Sequence, residues 1–115
     1  MMKTQVNLSA AAIFLCLPSL AFAEMQVQNN RYTCERGVQV PVVYANSDDH
    51  AIAVLTVEGN QILLYSEPAA SGARYGWPSD GSNYVWLTKG TEATLLWHDG
   101  TTDTEATLLT SCQQN

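Results

Sequence analysis

Positive charge is what this 115-residue sequence has least of: five lysines and arginines stand against eleven aspartates and glutamates, a formal net charge of −6. Recognition of nucleic acid needs a basic face to meet phosphate, so that class of partner is not expected. Histidine is nearly absent too, with only His50 and His98. The run Ser47-Asp48-Asp49-His50 is polar but has no second cluster at ligand spacing, so no metal site is expected. A G-x-S-x-G elbow is missing, and Ser71 has no histidine beside it in sequence. Neither a catalytic residue nor a cofactor is therefore expected; a carboxylate pair of the glycosidase kind is the one enzymatic alternative that spacing leaves open. No stretch shows a convincing 3.6-residue apolar period, and the apolar run at 10–17 is well short of the ~20 residues a membrane span needs.

That run follows Lys3 and is closed by Pro18 and by Ala21-Phe22-Ala23 before Glu24. The pattern is that of a secretory signal peptide over residues 1–23 with an A-x-A cleavage site. Leu15, the residue before Cys16, is not small, so lipid attachment and a membrane anchor are not expected. The domain proper spans 24–115 and keeps four cations (Arg31, Arg36, Arg74, Lys89) against all eleven acids, a formal charge of −7. A cationic partner would be attracted from a distance, and its association would slow as salt is added. Setting Cys16 aside leaves Cys34 and Cys112, an even pair in an export context, and hence one disulfide. Closing a loop that long stabilises by roughly 4 to 5 kcal/mol in the chain-entropy picture.

Short apolar or alternating runs recur between turn signals, and strands are expected at 26–34, 39–45, 51–57, 61–66, 74–77, 83–88, 92–98 and 105–111. Glu58-Gly59-Asn60, Asp80-Gly81, Lys89-Gly90 and Asp99-Gly100 supply residues that tolerate positive φ, so tight antiparallel connections are expected at each. The hexapeptide TEATLL occurs at 91–96 and again at 104–109, which reads as two neighbouring strands with the same in/out pattern. Pro41 has no N–H to give, so an edge or bulge is expected there, and such an edge would permit a homodimer. The fold class is all-β: a small eight-stranded antiparallel barrel with one disulfide, because closure removes exposed edges, with a two-sheet sandwich as the alternative.

In an up-and-down meander, alternate connections share an end. The stretch EPAASG before the fifth strand and Lys89-Gly90 after the sixth then sit side by side, with Asp80-Gly81 at the far end. Ser71-Gly72 and Lys89-Gly90 would form one projecting surface carrying a hydroxyl and an ammonium. Trp86 and Tyr84 share a face by alternation and are expected in the core, while Tyr75 directly follows the S-G-A-R turn with an exposed hydroxyl end.

The segments SGARY (Ser71–Tyr75) and YVWLTKGTEA (84–93), with Arg31-Tyr32-Thr33-Cys34 near the start and Cys112-Gln113 near the end, resemble the signature segments of the MliC/PliC family of bacterial inhibitors of c-type lysozyme. The resemblance implies an eight-stranded barrel whose serine and lysine, here Ser71 and Lys89, enter the lysozyme cleft. Gly72, Tyr75, Thr88 and Gly90 are implied as supporting residues, and a periplasmic location fits better than a lipid-anchored one. Lysozyme works with a protonated glutamic acid and an ionised aspartate. An ammonium in that dry cleft favours ionisation of the acid, the wrong state for proton donation, and a serine hydroxyl can hydrogen-bond either carboxyl oxygen. A rival reading keeps the barrel but makes it a small ligand-binding protein of the bacterial envelope; an eight-stranded barrel filled by its own side chains leaves little interior for that.

Overall fold

The structure is a computed structural model, and it describes residues 24–115. The signal peptide expected over 1–23, and Cys16 within it, lie outside the described residues. Eight strands follow one another as β1 (Gln26–Thr33), β2 (Gln39–Asn46), β3 (Ala51–Val57), β4 (Asn60–Glu67), β5 (Ala73–Gly76), β6 (Asn83–Lys89), β7 (Glu92–Asp99) and β8 (Thr104–Gln114), with a single 3-10 turn at Glu35–Gly37. Each strand pairs antiparallel with the next and β8 returns to β1, so the sheet closes into the barrel expected from the sequence. No helix among the described residues is long and apolar enough to cross a membrane.

Alternation along each strand sends one set of side chains inward, and these build the core. Val40, Val42 and Tyr44 come from β2, Ala53, Leu55 and Val57 from β3, Leu64 from β4, and Trp86 from β6. Trp86 is 0 % exposed, which matches its expected place; Tyr84 is only half-buried and packs on the core from its margin, with its ring at 5.0 Å from Trp97. Burying an indole and two phenols requires partners for their polar atoms. Trp86 Nε1 donates to the Tyr44 hydroxyl at 2.8 Å, and that hydroxyl shares a hydrogen bond with the Tyr32 hydroxyl, also at 2.8 Å. Burial and the Tyr32 hydrogen bond push the Tyr44 phenol well above its ordinary range, so it stays neutral.

The closing seam is the shortest ladder. Strands β1 and β8 meet only through Tyr32 with Gln114 and Thr33 with Gln113, helped by Asn115 N–H donating to Arg31 O at 2.9 Å. The Cys34–Cys112 disulfide lies immediately beside these pairs, so the covalent link staples the seam where hydrogen bonding is thinnest. Pro41 pairs with Arg31, whereas the β2–β3 ladder begins one residue later at Val42 with Leu55. The missing N–H thus falls at a local end of pairing. From Val42 to Asn46 β2 is paired on both flanks, and only Gln39 to Pro41 lack a partner on the β3 side.

Turn chemistry divides the expected hairpins. Glu58 and Gly59, both at positive φ, close a two-residue connection between Val57 and Asn60, and Gly90 at φ +60° opens the equally short turn between Lys89 and Glu92. Asp80-Gly81 and Asp99-Gly100 do not make such turns. The former lies inside a longer connection, 77–82, and neither Gly81 nor Gly100 has positive φ. Asp99 instead accepts the N–H groups of Thr101 and Thr102, which holds its carboxyl below the usual range and opens a four-residue loop. Gly100 is required by proximity: a Cβ there would strike the backbone of Asp80 and Gly81, and its N–H donates to Ser82 Oγ at 2.9 Å.

Candidate functional site

Strands β5 and β6 pair through Ala73 with Thr88, Arg74 with Leu87 and Tyr75 with Trp86. Continuing that register by one residue sets Gly72 beside Lys89. The connection before β5 and the hairpin after β6 therefore share one end of the barrel, and Ser71, Thr88 and Lys89 line a common groove of about 220 Å³ with Ala73, Leu87 and Glu92. The two connections expected to be neighbours thus share one end of the barrel.

Gly72 is what locks the two segments together. It sits at φ +66°, and a Cβ there would overlap the Thr88 carbonyl oxygen, with Lys89 Cα at 3.5 Å. Only a residue without a side chain lets the backbone of the 68–72 connection lie directly on β6. Ser71 rides on this contact, and its position relative to Lys89 is set by backbone rather than by flexible side chains.

The ammonium is left without a carboxylate partner. Across the turn from Lys89, Glu92 accepts a hydrogen bond from Gln113 Nε2 at 3.1 Å, and no ion pair among the described residues involves Lys89. Arg74, the other cation on these two strands, is fully engaged. Its Nε lies 3.4 Å from Glu67 Oε1, and its guanidinium holds Glu105 from β8 with two hydrogen bonds, one of them Nη1 to Oε2 at 3.2 Å. That fork raises the Arg74 pKa further and holds the Glu105 carboxyl below its ordinary value. Val85 points away from the core by alternation yet is buried, because it lies among Arg74, Glu67 and His98.

Of the residues singled out from sequence, Ser71, Gly72, Thr88, Lys89 and Gly90 meet at this one barrel end, with Ser71, Gly72, Lys89 and Gly90 exposed and Thr88 half-buried. Tyr75 is set deeper than its place after a turn suggests, although it reaches the open cavity at the barrel mouth. Its ring is inside the barrel, 8 % exposed, 5.5 Å from the ring of Tyr44, and desolvation raises its phenol pKa. The reason is pairing: Tyr75 is opposite Trp86, so both face the core, and Tyr75 supports the projecting loops from beneath. Cys34 and Cys112 are joined as expected.

Sequence reading missed the Tyr32, Tyr44 and Trp86 chain, although strand alternation from Cys34 and Val42 marks both tyrosines as inward. It also missed the Arg74 to Glu105 link, for which no local signal exists.

Comparison with known proteins agrees with the fold. The profile of the family described as membrane-bound lysozyme-inhibitor of c-type lysozyme matches residues 32–104. A Pseudomonas aeruginosa protein named membrane-bound lysozyme inhibitor of C-type lysozyme is 37% identical over 95 residues, 80% of this chain and 70% of that one. One of the same name from Cupriavidus necator is 45% identical over 65 residues, covering 56% of this chain and 49% of that protein. Among solved structures, Pseudomonas aeruginosa MliC in complex with hen egg white lysozyme is similar with a TM-score of 0.61 at 27% identity, over 99% of this chain and 100% of that one. PliC of Salmonella typhimurium, a periplasmic inhibitor of C-type lysozyme, shares the fold with a TM-score of 0.64 at 23% identity, over 78% of this chain and 99% of that one.

Proposed function

Because the chain belongs to the family of membrane-bound lysozyme inhibitors of c-type lysozyme, we propose that it is an exported inhibitor of a c-type lysozyme and that Ser71 and Lys89 enter the enzyme's active-site cleft. The observation that carries this reading is the common groove of Ser71 and Lys89, held by the contact of Gly72 with the Thr88 carbonyl. Relatives named as membrane-bound and periplasmic place their proteins in the cell envelope, and the reading puts this chain there too, in the periplasm after removal of residues 1–23.

Chemically, Lys89 acts as a plug for a site built from two carboxyl groups. Its ammonium has no ion-pair partner among the described residues, so pairing with a carboxylate in the cleft breaks no ion pair there. Ser71 donates to or accepts from the second carboxyl, and Gly90 and Thr88 fill space that sugar needs. Proximity of the ammonium favours the ionised form of the acid that should donate a proton, so the enzyme is both blocked and mis-protonated. The formal −7 of residues 24–115 speeds encounter with a basic enzyme, while the tip has the opposite sign.

The test is lysis of a peptidoglycan suspension by c-type lysozyme with increasing amounts of the 24–115 chain. Inhibition should saturate near equimolar ratio. Truncating one partner of a desolvated charge pair costs about 2 to 5 kcal/mol, so Lys89→Ala should weaken inhibition by roughly 30-fold or more; Ser71→Ala should weaken it less. Parent-like inhibition by both folded variants would reject the assigned tip, and failure of the parent against every c-type enzyme would reject the function.

A further inference from the structure

We propose that the open mouth of the barrel, beside the Ser71 and Lys89 groove, is a binding site for a neutral N-acetylated amino sugar. Inward positions of a barrel strand are ordinarily apolar, and they are so here through the core. At the mouth three strands switch together. On β1 the inward series runs from Tyr32 to Asn30 and Gln28, on β2 from Tyr44 to Asn46, and on β8 from Cys112 to Gln114. These four carboxamides line one cavity of about 220 Å³, floored by tyrosines, Tyr75 among them, and closed on one side by Thr88 and Gly90.

The choice of side chain is informative. Asparagine is unfavourable in strands, and a merely solvated mouth in this acidic protein has no need to exclude carboxylates. Yet no charged residue lines the cavity. None of the four carboxamides hydrogen-bonds another side chain among the described residues, and the Tyr75 hydroxyl likewise has no protein partner there. Each carboxamide offers a donor and an acceptor side by side, the complement of an acetamide group and of neighbouring ring hydroxyls. A charge-free lining disfavours an ionic ligand, since an ion would surrender its hydration without a counter-charge. The volume admits one sugar ring, and the apolar interior beneath is filled, so the ligand sits in the mouth and not in the barrel.

The experiment is an NMR titration of the isotopically labelled 24–115 chain with N-acetylglucosamine, its β-1,4-linked trimer, and glucose as a control lacking the acetamide. Affinity on the order of millimolar is expected for one ring in a small polar cup. The side-chain amide signals of Gln28, Asn30, Asn46 and Gln114 should move saturably with both acetylated sugars and much less with glucose. The double variant Gln28→Leu/Asn46→Leu should bind at least about tenfold more weakly. Its parent-like spectrum elsewhere would show that the fold is intact; if it does not fold, the single variants Gln28→Leu and Asn46→Leu serve instead. No shift in the parent at roughly ten times millimolar sugar, equal shifts with glucose, or unaltered binding by the folded variants would each overturn the proposal. The titration contains no lysozyme, so its failure leaves the inhibitor reading standing, and the reverse also holds.

Discussion

Replacing Gly72 by alanine separates two effects that the structure places at one residue. The left-handed backbone at φ +66° costs an L-residue about 1 to 2 kcal/mol by itself. The added methyl also overlaps the Thr88 carbonyl oxygen, which belongs to the β5–β6 ladder and has no rotamer with which to escape. Ordinary carbon-to-oxygen contact lies near 3.3 Å, so the connection must lift from β6 by on the order of 1 Å. Gly59 supplies the control: it sits at φ +78° with open space around its missing Cβ, at the opposite end of the barrel. Gly59→Ala should therefore show backbone strain alone, a Tm lower by roughly 5 to 15 °C with inhibition unchanged. Gly72→Ala should lose at least as much Tm and, in addition, inhibit at least about tenfold more weakly, because a displacement of that size takes Ser71 out of register with Lys89. Thermal melts and inhibition titrations on both variants decide the matter. Parent-like inhibition by a folded Gly72→Ala protein would refute the idea that this backbone contact sets the wedge.

Three further outcomes follow from the same structure. Tyr44→Phe strands the buried indole N–H of Trp86, which should remove about 1 to 3 kcal/mol and lower Tm by roughly 5 to 20 °C, whereas a loss near zero would mean the N–H finds another acceptor. Glu105 has its carboxyl pKa held below the ordinary 4.5 by Arg74, so its stabilisation is fully present above that value and fades as pH falls through the lower folded-state value; Glu105→Gln should flatten the acid limb of Tm against pH, and identical slopes would remove the Arg74 fork from the stability argument. Stopped-flow binding to a basic c-type lysozyme should show an association rate that falls with added salt in both the parent and Lys89→Ala, because steering comes from the whole acidic chain; a salt-independent rate would contradict that assignment.

The strands were legible because their signals are local. Alternation and glycine-bearing turns place each of them to within a few residues of the structure, as at 92–98 against Glu92–Asp99. Meander logic then brings Ser71 to Lys89 without any contact being visible in sequence. The failures are equally physical. A Gly after an Asp does not reveal whether it is needed for positive φ or for close approach, and at Gly100 the second reason operates, through Asp80 and Gly81 some twenty residues away. Tyr75 follows a surface turn, so its neighbours in sequence suggest exposure; its facing partner Trp86 shows that the ring is buried, and only register reveals that. The Arg74 to Glu105 fork spans a sequence separation of 31 and rests on curvature that no one-dimensional pattern encodes.

The opposition between body and tip explains why a cation is tolerated at a hairpin end in so acidic a chain. A lysine amid eleven carboxylates would ordinarily be drawn into a surface pair, worth little in water but enough to hold the side chain down. Here Glu92, across the turn, accepts a hydrogen bond from Gln113 of β8, and no ion pair among the described residues involves Lys89. The Lys89 side chain stays exposed. On the proposed function this removes a competing state: a partner that offers a carboxylate in a dry cleft would not first have to break an ion pair of Lys89.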